Sequence, residues 1–127
     1  MKTRNFFLTL TLMLLTVAVF VSCSDDSTPS GVVKTYFSAL KSGDYAKAVS
    51  CTNTPEAYAE NKMKSYEKRM SHDNPNTELI KKGKLEIVSE EINDDRASVQ
   101  YSFSIEGMNI GQELQLEFID GKWKIDD

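Results

Sequence analysis

The side chains that can carry chemistry are few and scattered: two cysteines, Cys23 and Cys51, one histidine, His72, and carboxylates spread along the chain. Cys51 has no basic or histidine neighbour in sequence to activate its thiol, so its setting predicts a small buried residue rather than a nucleophile. His72 has no second histidine or cysteine at the spacing of a metal site. It is therefore predicted to be a solvated loop residue, and no metal site is expected.

A general acid or base needs a titratable side chain that faces the substrate. Two segments late in the chain alternate between apolar and polar residues, and the only polar members of their apolar stripes are Tyr101 and Gln112. With an unperturbed pKa of about 10, Tyr101 is a poor base but can donate a hydrogen bond. Glu86 or Glu90, on a less regular segment, could turn towards the same side, so catalysis stays open as an alternative.

Aromatic and amide side chains at periodic positions offer a binding pocket instead. Such stripes also form ordinary hydrophobic cores, so both interpretations are open. The pocket interpretation assigns a small apolar or sugar-like ligand to Tyr36, Tyr58, Tyr66, Tyr101, Phe103, Gln112 and Trp123.

The composition limits the partners. The chain has 127 residues and a formal net charge of −4, with 15 basic and 19 acidic side chains. An acidic chain without a basic face argues against nucleic acid as a partner, because binding requires the phosphates to be neutralised. There is also no glycine-rich phosphate loop, so no cofactor is expected.

The first 22 residues have the pattern of a signal peptide. Lys2 and Arg4 precede an apolar run over residues 6–21, which spans about 24 Å as a helix and is short for a bilayer. Asp25 and Asp26 follow it instead of a basic stop-transfer cluster. This pattern favours an exported chain over a permanent membrane helix.

Residues 20–23, Phe-Val-Ser-Cys, resemble the lipobox of bacterial lipoproteins, with Phe20 where an aliphatic residue is usual. The resemblance implies that Cys23 is the lipid-attachment residue, carrying a diacylglyceryl thioether and an acylated amine. Several acyl chains hold a protein on a membrane essentially permanently. The acidic pair that follows resembles the export signal of some surface lipoproteins, which implies an outer-membrane location with surface exposure. An ordinary signal peptide is the alternative.

The mature chain is predicted to form helices first. Thr28 or Ser27 can cap a helix with Pro29 in its first turn, and Gly43 is a stop signal before Asp44, which can cap a second helix. A third helix is predicted from Thr54 onwards, with residues 61–69 as a mixed-charge solvent face. Residues 71–77 are predicted to be a loop, followed by one turn or a packing anchor at residues 79–80.

After Gly83 the pattern changes to that of antiparallel strands. A turn at residues 107–108 is predicted to pair Ile105 with Ile110, and a turn at residues 120–121 to pair Phe118 with Trp123. A bulge near residues 89–90 reconciles the mixed parity of the first strand. The fold class is thus α+β, with three helices followed by a four-stranded antiparallel meander.

Two segments carry a family resemblance. Residues 32–48, VVKTYFSALKSGDYAKA, resemble the first helices of the nuclear transport factor 2-like superfamily, and residues 120–125, DGKWKI, resemble its last strand. The chain is more specifically similar to small bacterial lipoproteins with such a domain of unknown function. This resemblance implies a curved sheet wrapped around a long helix, forming a cone that can hold a small ligand. The superfamily includes enzymes and binding modules, so fold alone does not fix activity.

These observations divide the chain into a signal peptide (residues 1–22), a lipidated acidic tether (residues 23–28) and one domain (residues 29–127). The expected function is that of a membrane-anchored envelope lipoprotein whose cone binds a small ligand or another envelope protein without catalysis. The alternative is an isomerase- or dehydratase-like enzyme that uses the cone cavity.

Overall fold

The structure is a computed structural model that describes residues 27–127. Within this range, helices precede a four-stranded antiparallel sheet of order β1-β2-β3-β4, which confirms the predicted α+β class. The elements are α1 (Pro29–Ser42), α2 (Tyr45–Ser50), a 3₁₀ turn (Glu56–Tyr58), α3 (Ala59–Ser71), α4 (Pro75–Lys82), β1 (Lys84–Asn93), β2 (Arg96–Ile105), β3 (Met108–Ile119) and β4 (Lys122–Ile125).

The first two helices begin and end where the sequence predicts. The Thr28 side chain accepts a hydrogen bond from the Gly31 amide at 3.0 Å, and Pro29 occupies the first turn, where a missing amide costs nothing. Gly43 ends α1 in the left-handed conformation with a φ of 83°. Asp44 then caps α2 through a hydrogen bond from the Lys47 amide.

The predicted loop over residues 71–77 is wrong, because helix α4 begins inside it. Asn74 caps α4 by accepting a hydrogen bond from the Thr77 amide at 3.0 Å, and Pro75 is its first residue. The predicted cap at Thr54 is also absent. The Thr54 hydroxyl instead bonds the Thr52 hydroxyl at 2.7 Å, and a 3₁₀ turn precedes α3.

The β3–β4 pairing follows the predicted register, and strand β1 has an irregularity close to the predicted bulge. The β3–β4 pairing places Phe118 opposite Trp123 and Leu116 opposite Ile125. The β1–β2 pairing has its irregularity between Ile87 and Ser89, within a residue of the predicted bulge. The bulge leaves Val88 63% exposed.

The register of the β2–β3 hairpin differs from the prediction by two residues. Ile105 pairs with Met108 and Phe103 with Ile110, so the turn lies at Glu106 and Gly107. Both turn residues have positive φ, 49° and 82°, as a type I′ turn requires. This turn type matches the twist of the strands, and the two-residue shift keeps every side chain on its predicted face.

The helices cover one face of the sheet and form the core with it. Phe37 of α1 packs against Tyr101 and Phe103 of β2, with both pairs of ring centroids 5.0 Å apart. Cys51 is buried beside this core, as predicted. The loop after α2 joins the sheet through β4, because the Ile125 amide donates to the Cys51 carbonyl at 2.7 Å.

The predicted signal peptide, Cys23 and most of the tether lie outside the described residues. Within residues 27–127, none of the helices combines the length and the apolar character that crossing a bilayer requires.

Candidate functional site

Two neighbouring cavities lie between the helices and the sheet. The first, of about 150 Å³, is named the mouth cavity, and the second, of about 180 Å³, the tyrosine cavity. Phe37, Ile80 and Tyr101 line both and form the wall between them. The mouth cavity is also lined by Asn76, Leu79, Phe103, Ile110 and Gln112, and the tyrosine cavity by Tyr36, Leu40, Tyr66, Arg69, Met70 and Leu114.

The wall between the cavities carries a polar pair. Tyr101 lies directly opposite Gln112 in the register, and its hydroxyl donates a hydrogen bond to Gln112 Oε1 at 3.0 Å. Gln112 is exposed at the outer end of the mouth cavity, whereas Tyr101 is 5% exposed. The pair therefore presents hydrogen-bonding atoms in the mouth cavity, where Asn76 is the other polar residue of the lining.

Three tyrosines surround the tyrosine cavity. Tyr36 and Tyr66 meet edge to face with ring centroids 5.9 Å apart, and the Tyr66 hydroxyl donates to the Asp127 carboxylate at 3.1 Å. Burial is the main cause that raises the pKa of Tyr36, Tyr66 and Tyr101 above the ordinary value. Their phenols consequently stay protonated at neutral pH and act as hydrogen-bond donors rather than as bases.

One charged side chain lines the tyrosine cavity. The guanidinium carbon of Arg69 lies 5.7 Å from the Tyr66 ring centroid, and Lys62 Nζ lies 5.6 Å from the same centroid. Lys62 also forms an ion pair with Asp127. Helix α3 thus places two cations on the ring of Tyr66. Lys62 precedes Tyr66 by four residues and Arg69 follows it by three, and residues at these spacings share a helix face.

The carboxylates and the histidine considered for chemistry lie elsewhere. Glu90 Oε1 accepts hydrogen bonds from the Ser30 amide at 2.9 Å and the Ser30 hydroxyl at 2.7 Å, at the start of α1. Glu86 pairs with Ser102 on the sheet face away from the helices. His72 is exposed just after α3. In the described part of the chain, no cluster of three or more His, Cys, Asp or Glu side chains could hold a metal ion.

The structure brings five of the seven predicted pocket residues to the two cavities. Tyr36, Tyr66 and Tyr101 line the tyrosine cavity, and Phe103 and Gln112 line the mouth cavity. The other two are elsewhere. Tyr58 is 63% exposed in the 3₁₀ turn, and Trp123 packs on Phe118 at 5.1 Å between their ring centroids.

Sequence reasoning missed Arg69, Asn76 and Ile80. Arg69 follows Tyr66 by three residues on a predicted helix, a spacing that indicated their proximity, but it was assigned to the solvent face. Asn76 lies in the predicted loop and Ile80 in the predicted turn or packing anchor, whereas the structure places both in helix α4.

Two larger depressions, each of about 450 Å³, lie away from the two inner cavities. The one between α1 and α2 is polar and includes Lys34, Ser38 and Lys47. The other lies beside the loop after α2 and includes Met63 and Ile119. Neither contains the aromatic cluster, so the two inner cavities are the better candidate site.

The cavities and the fold together can be compared with known proteins. No protein-family model and no curated protein matches the chain. Solved structures match at low identity. A Campylobacter jejuni protein named as an NTF2-like transpeptidase is 17% identical, with a TM-score of 0.59 over 80% of this chain and 99% of that one.

Two further structures are NTF2-like proteins of unknown function. The one from Silicibacter pomeroyi DSS-3 is 17% identical, with a TM-score of 0.51 over 76% of this chain and 85% of that one. The one from Shewanella oneidensis MR-1 is 16% identical, with a TM-score of 0.50 over 76% of this chain and 93% of that one. The fold is therefore the NTF2-like α+β cone, as the resemblance of residues 32–48 and 120–125 implied.

Proposed function

We propose that this protein is an envelope lipoprotein, held at the outer membrane by acylated Cys23, whose cone domain binds a small ligand without chemically changing it. The observation that carries the binding proposal is the pair of aromatic-lined cavities that meet at Phe37, Ile80 and Tyr101. Small-ligand sites are typically apolar concavities with a few convergent polar groups, which describes this pair.

The titratable groups support binding rather than proton transfer. Tyrosines whose pKa is raised by burial are hydrogen-bond donors at neutral pH. The Glu90 carboxylate, a candidate base on β1, is engaged by Ser30 at the start of α1. A general base must reach the substrate proton, and this carboxylate is held by another element.

The anchoring proposal is supported by the lipobox-like residues 20–23 and by the short tether. Pro29 follows Cys23 by six positions, which is at most about 20 Å of extended chain. The domain would therefore stay close to the membrane face. Such a position suits an accessory protein that captures a ligand or an envelope partner near the membrane.

The anchor is tested by metabolic labelling with radioactive palmitate. We expect the label on the full chain and its complete loss in Cys23→Ala. Cys51→Ala is the matched control and should keep the label, because Cys51 lies within the folded domain. Unchanged labelling of Cys23→Ala, or an unlabelled wild-type chain in the soluble periplasm, would contradict the anchor.

Ligand binding is tested with phenol, a neutral single-ring probe, by calorimetry on the full chain in lipid nanodiscs with empty nanodiscs as the blank. Leu114→Phe fills the tyrosine cavity with a ring and should weaken phenol binding at least about tenfold. Ile105→Phe is the control, because Ile105 lies on β2 outside both cavity linings. Equal phenol affinity of the two variants would contradict a site in this cavity.

A further inference from the structure

The charge lining the tyrosine cavity indicates which ligand it takes, an inference that rests on the proposed binding function. Arg69 is the one charged residue among the described residues lining either inner cavity. It is exposed at the edge of the tyrosine cavity while its neighbours Tyr66 and Met70 are each 2% exposed. The cavity thus joins an apolar interior to a cationic rim.

The positive charge of Arg69 is not neutralised by the groups around it. Of the two cations on the Tyr66 ring, Lys62 is paired with Asp127, whose carboxylate also accepts the Tyr66 hydroxyl. Within residues 27–127, no carboxylate lies within 4.0 Å of the Arg69 guanidinium. Since Lys62 and Asp127 pair with each other, the Arg69 guanidinium is a cation at the rim that no carboxylate of the described residues pairs with.

The Arg69 charge also reaches the cavity interior. Burial dominates in raising the pKa of Tyr36. The hydrogen bond with Tyr66 lowers this pKa, the negative charge of Asp127 raises it, and the positive charge of Arg69 lowers it. Asp127 and Arg69 are therefore both within electrostatic range of the Tyr36 phenol. A negative group at the rim would meet the guanidinium and would lie beside a phenol that stays protonated.

The size of the tyrosine cavity limits the apolar part of the ligand. A dry protein cavity of about 150 Å³ accommodates benzene, and this one measures about 180 Å³. Its walls include Phe37, Tyr36 and Tyr101, whose ring edges and faces suit the edge-to-face packing of a further ring. One aromatic ring fits, and a two-ring body would need the wall residues to move.

We propose that the tyrosine cavity binds a single-ring aromatic monocarboxylate. The ring lies between Phe37 and Leu114, and the carboxylate pairs with the Arg69 guanidinium at the rim. The planar fork of arginine matches both carboxylate oxygens. Because Arg69 is exposed, the carboxylate stays partly hydrated, which limits the desolvation that burying an ion pair would require.

The test compares benzoate with benzamide, a neutral molecule of nearly the same shape, by calorimetry on the full chain in nanodiscs. We expect benzoate to bind at least about tenfold more tightly than benzamide, as a charge-assisted hydrogen bond predicts. Arg69→Gln should abolish this preference, so that benzoate and benzamide bind the variant with the same affinity. Lys68→Gln removes the same charge from the neighbouring position and should keep the preference.

Arg69→Lys separates charge from geometry and should give an intermediate preference, because lysine lacks the planar fork. Equal binding of benzoate and benzamide, or a preference that survives Arg69→Gln, would overturn the monocarboxylate proposal. If phenol still binds in that case, the broader ligand-binding function stands. If phenol, benzamide and benzoate all fail to bind, both proposals fail.

Discussion

Tyr101 has three roles at once: it packs on Phe37, it divides the two cavities, and its hydroxyl bonds Gln112. Tyr101→Phe keeps the ring and removes only the hydroxyl. We expect the free energy of unfolding to fall by about 1 kcal/mol, the usual net contribution of one hydrogen bond. Urea unfolding measures it, with Tyr58→Phe as the control because that side chain is 63% exposed. An equal loss in both variants would refute the role of the Tyr101–Gln112 bond.

At this same scale, the sequence predicted the aromatic residues better than the charged one. Tyr36, Tyr66 and Tyr101 were proposed from their periodic spacing, and all three line the tyrosine cavity. Arg69 was missed because a long charged side chain can point to solvent or fold over a neighbouring ring at the same helical position. Spacing identifies the neighbour but does not choose between these two positions.

Among the elements, the junction between α4 and β1 depends on Gly83. A β-carbon at this position would lie 2.4 Å from the Leu79 carbonyl oxygen and 3.3 Å from a Phe103 ring carbon. Gly83→Ala should therefore lower the free energy of unfolding by about 1–3 kcal/mol, as overpacking in a core does.

The matched control for Gly83→Ala is Gly111→Ala, where the β-carbon would meet only the Tyr101 carbonyl oxygen at an ordinary 3.8 Å. Chemical denaturation of both variants measures the difference. If the Gly83→Ala protein were as stable as the Gly111→Ala protein, the prediction would be wrong, because the junction would then accommodate the added methyl group without a loss of stability.

The β3–β4 and β2–β3 hairpins show when a sequence pattern can predict the strand register and when it cannot. At the β3–β4 turn, Asp120 and Gly121 set the register correctly, because both the turn type and the cross-strand pairs agree. At the β2–β3 turn, a two-residue shift leaves every side chain on the same face, so the alternation is satisfied by either register. The structure's choice depends on Glu106 adopting positive φ, which is uncommon for glutamate.

Helix α4 was overlooked for a related reason. Asp73, Asn74 and Pro75 are typical turn residues, and their pattern predicts a loop. Asn74 and Pro75 are equally an N-cap and a first-turn proline, and the structure uses them in that way. The same residues mark a loop or the start of a helix, and packing of Leu79 against the core decides between them.

For the whole molecule, the buried tyrosines predict how stability changes in alkali. Burial raises the pKa of Tyr36, Tyr66 and Tyr101 above the ordinary value of about 10. The unfolded chain therefore loses these protons first. Their contribution to stability is fully present below about pH 10, and above it each tyrosine lowers the free energy of unfolding by up to about 1.4 kcal/mol per pH unit.

This dependence is measured by urea unfolding at pH 8, 10 and 11. Tyr66→Phe should flatten the alkaline fall relative to the wild type, because the ring stays buried while its ionisable hydroxyl is removed. Tyr58→Phe serves as the exposed counterpart. The prediction fails if the two variants have the same slope above pH 10.

The bridge between the loop after α2 and strand β4 has a consequence for when the domain can complete its folding. Asn53 and Asp126 are hydrogen-bonded at 2.9 Å although they are 73 residues apart, and the amide of Ile125 completes the bridge. A chain that leaves the ribosome or enters a translocation channel from its N-terminus exposes the helices long before β4 follows. Contacts between residues distant in sequence form slowly, so the domain would stay incompletely folded until strand β4 has been synthesised. Until then the chain could still pass through a narrow channel.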